Sequence, residues 1–220
     1  RLLKENGADI SICSHYRDKG GKSVAKYASG EQFVFTRDEA IRALAVDKHV
    51  RNYMVDKLFK RSLFAGIVFP VNRVFEDLAI CYRVFYGAEK VVMQDIPKYH
   101  YMIREGSTMQ SRYDPQKEHN LFQSVYEQVK FILEKVVSEG TGSKGQVPGF
   151  KVGGKTATSQ KLPRGSGRYI ASYMSFAPAD KPKVIAMAII DEPKGIYYGG
   201  QVAAPLISQL YKNILCNGTL

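Results

Sequence analysis

Hydrophobic and polar positions along the chain fall into two periods. Ala8-Asp9-Ile10-Ser11-Ile12-Cys13 alternates, which predicts a short strand. Arg17 to Gly30 is polar and glycine-rich and predicts a loop. Thr36-Arg37-Asp38-Glu39 has capping-box spacing, with the Thr36 hydroxyl set to bond the Glu39 amide while Glu39 reaches back. It opens a helix through Leu44 and Val46. A second helical stretch is predicted from Val50 to Phe64, ending near Gly66. After a turn at Phe69-Pro70, Phe75-Glu76-Asp77-Leu78 starts another helix, and its acidic pair suits the positive end of the helix dipole. Lys90 to Gln94 and Tyr99 to Ile103 read as short strands. Asp114-Pro115 is a cap followed by a first-turn proline. The helix behind it carries Leu121, Phe122, Val125, Val129, Ile132, Leu133 and Val136 at a period near 3.6, a stripe predicted to be core.

The pattern shifts at Ser138. Ser138 to Gly149 is glycine-rich and predicts a loop. Lys151 to Gln160 reads as extended, and Pro163 to Gly167 as a turn. Tyr169 to Pro178 alternates, with Ile170, Ser172, Met174 and Phe176 on one face. Val184 to Ile190 is a nearly continuous apolar run, as for a central strand. A turn at Tyr197 to Gly200 leads to an apolar-striped helix from Gln201 to Leu215. Three strands on short loops, then a helix, predict an antiparallel meander covered by a helix.

Composition narrows the function classes. The 220 residues are 45% hydrophobic, which suits a globular protein of one or two domains. The formal net charge of +11 fits either an anionic partner or a solvated basic surface. No block of Lys and Arg stands out, so nucleic acid is not an expected partner. Cys13, Cys81 and Cys216 are scattered and form neither a disulfide framework nor a metal pattern. His15, His49, His100 and His119 form no ligand cluster. No apolar run approaches the ~20 residues of a membrane span, so membrane association is expected only through segments outside this sequence. The chain starts at Arg1 with no signal peptide, and reads as a piece of something longer.

The chemistry concentrates in Val152-Gly153-Gly154-Lys155-Thr156-Ala157-Thr158-Ser159-Gln160, a lysine beside hydroxyls among small residues. Gly149 to Thr156 satisfies the P-loop pattern G-x-x-x-x-G-K-[ST], and Val184 to Asp191 followed by Glu192 resembles a Walker B strand. A P-loop, however, needs a buried strand before it and a helix directly after the Lys-Thr. Gly145-Gln146-Val147-Pro148 is no buried strand, and no helical stripe follows Thr156 before Pro163 and Gly165. The ATPase reading is therefore rejected.

Lys-Thr-Gly on a strand is a motif of the penicillin-binding and serine β-lactamase superfamily. Lys155-Thr156-Ala157-Thr158-Ser159-Gln160 resembles it. Tyr169 to Tyr173, Phe176-Ala177-Pro178, Ile190-Asp191-Glu192-Pro193, Tyr197-Tyr198-Gly199-Gly200, Ala203-Ala204-Pro205 and, upstream, Val136 to Gly142 extend the likeness. From about Leu133 to Leu215 the chain resembles the C-terminal end of class B penicillin-binding proteins, D,D-transpeptidases that cross-link peptidoglycan. The resemblance implies that Lys155 supplies positive charge to a substrate carboxylate and to proton transfer. It implies that the Thr156 and Thr158 hydroxyls bind that carboxylate. The Thr158 amide becomes one arm of an oxyanion hole, an interaction worth about 3 kcal/mol where measured. Ala157 stands where the family has glycine. The implied partners are a peptidoglycan stem peptide or a β-lactam, with no cofactor. The family's nucleophile motif, Ser-x-x-Lys, matches only at Ser23-Val24-Ala25-Lys26, in the polar predicted loop, and no Ser-x-Asn occurs.

A second resemblance covers about residues 8 to 135. Lys57-Leu58-Phe59-Lys60-Arg61, Phe69-Pro70, Phe75-Glu76-Asp77-Leu78, Tyr99-His100-Tyr101 and Arg104-Glu105-Gly106-Ser107 together resemble the C-terminal half of family-two glycosyltransferases. That likeness implies a GT-A type fold and a nucleotide-sugar partner. It makes Asp77 the base that deprotonates an acceptor hydroxyl, with Glu76 beside it, and turns Arg104 toward a diphosphate. A divalent metal, Mg or Mn, is expected only for an intact glycosyltransferase, because no Asp-x-Asp occurs here.

The expected fold class is α+β: a truncated GT-A type α/β part over residues 1–135, then an antiparallel three-stranded meander with a C-terminal helix over residues 136–220. The expected history is a join of two fragments near residues 128–137. The expected function is that of a fragment of a penicillin-binding D,D-transpeptidase fused to a fragment of a nucleotide-sugar glycosyltransferase. The alternatives are a family-two glycosyltransferase as the main identity, and a non-catalytic remnant. By family, the first part is cytoplasmic and the second works on the outer face of the cytoplasmic membrane. With both catalytic motifs absent, neither activity is expected of this chain alone.

Overall fold

The computed structural model describes residues 1–25, 27–47, 49–107 and 114–216. The chain divides into two compact units, Arg1–Gln128 and Val129–Leu220. Among the described residues no helix is long and apolar enough to cross a membrane.

The first unit is built on a mixed sheet. After a short helix α1 (Leu2–Glu5), strand β1 (Ile10–Lys19) turns at Gly20 and Gly21 into β2 (Lys22–Ala25). Then come β3 (Gln32–Thr36), helix α2 (Arg37–Val46), β4 (Lys57–Phe59), helix α3 (Glu76–Gly87) and β5 (Lys90–Met102). The sheet runs β2-β1-β5-β3, with β4 also paired to β1. β1 and β5 are parallel, and β3 lies antiparallel to β5. Ile10, Ile12, Leu44, Val84, Phe85, Val91, Val92 and Met93 are buried at its core.

Helix α2 forms where the capping box puts it: Thr36 Oγ1 accepts from the Glu39 amide, and the Thr36 amide donates to Glu39 Oε2. Three other expectations for this unit are corrected. Arg17 to Gly30 is not simply a loop but largely the β1–β2 hairpin; β2 is mostly exposed, so its sequence carries no apolar alternation. Val50 to Phe64 is not a helix. Strand pairing of Lys57–Phe59 with Ile10–Ile12 outcompetes local helical preference, and only a 3-10 turn, Arg61–Phe64, remains. The two short strands predicted between Lys90 and Ile103 are one strand, β5. Its register against β1 shifts where Ser14 meets Pro97, and a proline without an N–H fits that irregularity.

Helix α4 (Pro115–Ser138) crosses the division between the units. The apolar stripe predicted as core is largely not buried: Phe122, Val125, Val129 and Ile132 are exposed. Polar bonds orient the first part of the helix instead. Arg73 makes a two-pronged bond to Glu127 at 2.9 Å and reaches Ser124 Oγ at 3.2 Å, while Ser124 donates to the Phe75 carbonyl at 3.2 Å.

The second unit is the meander β6 (Gly153–Gln160), β7 (Tyr169–Ala177) and β8 (Val184–Asp191), followed by α5 (Gly199–Val202) and α6 (Ala204–Cys216). The order is β6-β7-β8, all antiparallel. The expected single helix is thus two, separated at Ala203. Tyr173, Ala177, Ile207, Tyr211, Val137, Val147 and Val152 form the core. Two bonds pin α6 there: Tyr211 Oη donates to the Ser175 carbonyl at 2.8 Å in the core, and Ser208 Oγ to the Gln146 carbonyl at 2.6 Å at a partly buried position. β8 is an edge strand, not the central one. Its apolar run hides an alternation, with Ile185, Met187 and Ile189 exposed by 73%, 55% and 61%. The mixed α+β class stands. For the first unit the structure gives a mixed five-stranded sheet and does not establish the expected GT-A type.

Candidate functional site

In the second unit, Lys155, Thr156 and Thr158 all lie inside β6. This position is incompatible with a P-loop, whose Lys-Thr opens a helix; a turn follows β6 instead. Strand alternation divides the three side chains. Thr156 and Thr158 oppose Tyr173 and Ala171 across the ladder, on the face covered by α5 and α6. Lys155 opposes Met174, on the other face. β6 pairs with β7 alone among the described strands, so its other margin, which runs past all three residues, is open.

The hydroxyls are held from behind. Thr156 Oγ1 lies 2.9 Å from Thr141 Oγ1, and Thr158 Oγ1 accepts from the Gly199 amide at 3.2 Å. Lys155 Nζ folds back onto the Thr156 carbonyl at 2.5 Å. Glycine makes this arrangement possible. A Cβ on Gly199 would stand 2.2 Å from the Ser172 carbonyl oxygen and 2.5 Å from that of Ala157. One on Gly200 would stand 2.1 Å from the Thr141 carbonyl oxygen. The predicted Tyr197–Gly200 turn is therefore a close approach of α5 to the strands, needing residues without side chains. Beneath it lies Tyr173, whose hydroxyl burial pushes up to about 12. Thr141 and Gly199 are the residues sequence reasoning missed as partners of the hydroxyls; the Gly-Gly pair was the available signal.

In the first unit, a cavity of about 780 Å³ opens above the N-terminus of α3. Asp77 and Glu76 both line it, with Tyr53, Tyr101, Arg17 and Arg51 among the other walls. Asp77 is half-buried and Glu76 exposed. Burial pushes the Asp77 carboxyl up, Glu76 and Asp56 add to this, and the Met54 amide, 3.2 Å from Oδ2, works against it, as does Lys57. Burial pushes His15, also in the wall, down toward the neutral form. Phe75, just before α3, sits in the left-handed region at φ 62°, a costly backbone state for an aromatic residue at the rim of a cavity. Arg104 is exposed and does not line the cavity; Arg17 and Arg51 do. Arg51 is braced by Asp47 at 3.2 Å. These two arginines come from separate segments, so no local motif marked them. Among the described residues no group of three His, Cys, Asp or Glu is placed to hold a metal ion. Ser23, from the formal Ser-x-x-Lys match, is an exposed residue of β2; Lys26 lies outside the described residues.

Comparison with known proteins supplies the family. Residues 78–212 match the family model described as penicillin binding protein transpeptidase domain. Stage V sporulation protein D of Bacillus subtilis is 44% identical over 92 residues, covering 40% of this chain and 14% of that protein. The probable peptidoglycan D,D-transpeptidase PenA of Neisseria meningitidis serogroup A is 34% identical over 130 residues, covering 54% of this chain and 22% of that one. Among solved structures, the transpeptidase domain of Burkholderia pseudomallei penicillin-binding protein 3 is 31% identical with a TM-score of 0.40, covering 54% of this chain and 37% of the other. The chain thus spans well under half the length of these relatives. The match begins in α3, upstream of Leu133, and nothing in the comparisons supports a nucleotide-sugar glycosyltransferase fragment or a fusion. With well over half of its residues matched by that model, the chain belongs to the penicillin-binding protein transpeptidase domain family.

Proposed function

We propose that the second unit is the carboxylate-recognising margin of a peptidoglycan D,D-transpeptidase. The observation that carries this reading is the edge strand β6, where Thr156 and Thr158 are buttressed by Thr141 and the Gly199 amide while Lys155 flanks them. A stem peptide or β-lactam laid along that margin meets two hydroxyls that can donate to its carboxylate. Lys155 supplies a positive charge on the side away from α5 and α6. The Thr158 amide serves as one arm of an oxyanion hole. Acylation needs a serine nucleophile, and Ser23, the serine of the one Ser-x-x-Lys match in the sequence, is an exposed residue of β2 in the first unit. This chain therefore recognises the carboxylate without forming an acyl-enzyme. The test is amide NMR with a peptide ending in D-Ala-D-Ala. Shifts at Thr156 and Thr158 that disappear in Thr158→Val are expected, and no shift there overturns the reading. Covalent labelling by a fluorescent penicillin would sink the claim that no acyl-enzyme forms.

A second reading is favoured by the cavity of the first unit. We infer that Asp77, with its carboxyl raised by burial and Glu76 beside it, accepts a proton from a hydroxyl of a bound alcohol or sugar. A glycosyltransferase would in addition need a nucleotide-sugar and a divalent metal. The described residues offer no group of three His, Cys, Asp or Glu that could hold Mg or Mn. Turnover of a UDP- or GDP-sugar with Mn²⁺ is expected to be absent, and its appearance would restore glycosyl transfer as the main identity. If neither margin nor cavity binds its ligand, the chain is a non-catalytic remnant.

A further inference from the structure

The first unit buries an ion pair. Lys57 and Asp56 have side chains 0% and 3% exposed, with Nζ 2.5 Å from Oδ1. Desolvating two charges is costly, and well-packed apolar side chains commonly serve stability as well. The geometry indicates another use. Lys57 Nζ also donates to the Tyr53 carbonyl at 2.7 Å, so the ammonium ties both ends of the five-residue turn 53–57 together. That turn anchors to β1, where the Asp56 carbonyl accepts from the Cys13 amide at 3.0 Å and from Cys13 Sγ at 3.4 Å. On its other side it serves the cavity: Tyr53 and Val55 form wall, and the Met54 amide bonds Asp77 Oδ2.

We propose that Lys57 is a positioning residue for the first unit's cavity: its buried ammonium, clamped by Asp56 and the Tyr53 carbonyl, locks the 53–57 turn so that the Met54 amide stays on Asp77 and Tyr53 stays in the wall. The proposal rests on the reading of Asp77 as the proton acceptor. The charged and titratable groups around Asp77 include Glu76 and Cys81 on its own helix, Tyr53, Asp56 and Lys57 in the turn, Asp47 and Arg51 after α2, and His15, Arg17 and Tyr101 on the sheet.

The experiment is NMR on the full chain, comparing the unaltered protein with the double variant Asp56→Asn/Lys57→Met. Removing both charges leaves no unpaired ion; their effects on Asp77 are opposite in sign, with that of Lys57 the larger, so Met54 amide exchange is the deciding readout. Met54 amide exchange is expected to rise at least about tenfold while Val91 and Val92 keep their protection. The Asp77 titration midpoint is expected to move up. A folded variant with both readouts unchanged overturns the proposal. If the variant does not fold, the unaltered chain decides: its Met54 amide shift must titrate with the Asp77 carboxyl and exchange as slowly as the Cys13 amide. Loop-like exchange at Met54 overturns the proposal. None of these readouts depends on catalysis. Failure of Asp77 as a base would show separately, as titration of Asp77 with no response to any added alcohol or sugar.

Discussion

The two units place chemistry in opposite ways. In the first, Asp77, Tyr53, Arg51, Arg17 and Tyr101 converge on one cavity from α3, the turn before β4, the segment after α2, β1 and β5. In the second, Lys155, Thr156 and Thr158 are neighbours on a single strand, and the rest of the unit only holds that strand in place. A concave site assembled from distant segments is tuned by burial, as the raised Asp77 shows. A strand margin is tuned by how closely a backbone can approach it, as Gly199 and Gly200 show. The sheets match this contrast. β1 and β5 each contain a run of three consecutive buried residues near their starts, whereas β8 alternates between half-buried and exposed positions.

The comparison can be broken most severely at the glycines. Gly199→Val drives a side chain into two carbonyl oxygens and is expected to destabilise the second unit by about 3 kcal/mol or more. Calorimetry should then show its transition lowered or lost while that of the first unit holds. A single transition shifting as a whole would mean that the units are not separate folding bodies. Phe85→Ala probes the reverse direction. Emptying that fully buried position is expected to cost the first unit about 3–5 kcal/mol, with the β6–β8 amides keeping their exchange protection. Thr36→Ala removes one side of the capping box and should cost about 1 kcal/mol in a urea titration, again confined to the first unit.

The smallest effect sharpens the contrast in electrostatics. The Asp77 pKa is raised in the folded state, so its favourable contribution is present at low pH. That contribution is lost as pH rises from the unfolded value through the folded one. Asp77→Asn is therefore expected to be more stable than the parent at pH 7, with the difference vanishing at pH 3. Paired denaturation midpoints at the two pH values check this. A loss of stability at pH 7 would mean that the carboxylate is structural.

The sequence by itself determined the local devices. The capping box of α2, the acidic start of α3, the three strands of the meander and the Lys-Thr stretch all depend on residues within a few positions of one another, where steric and hydrogen-bonding preferences act directly. It also carried the family likeness of the second unit. Tertiary structure alone decided the rest. Lys57–Phe59 became a strand because β1 offered it partners, and the apolar positions of α4 stayed exposed where Arg73 bonded Glu127 and Ser124. β8 was placed at an edge because an apolar run does not say how many neighbours it will have. The cavity around Asp77 joins residues as far apart in sequence as His15 and Ser107. Such convergence leaves no periodic trace, because burial and long-range pairing are properties of the folded chain rather than of any window along it.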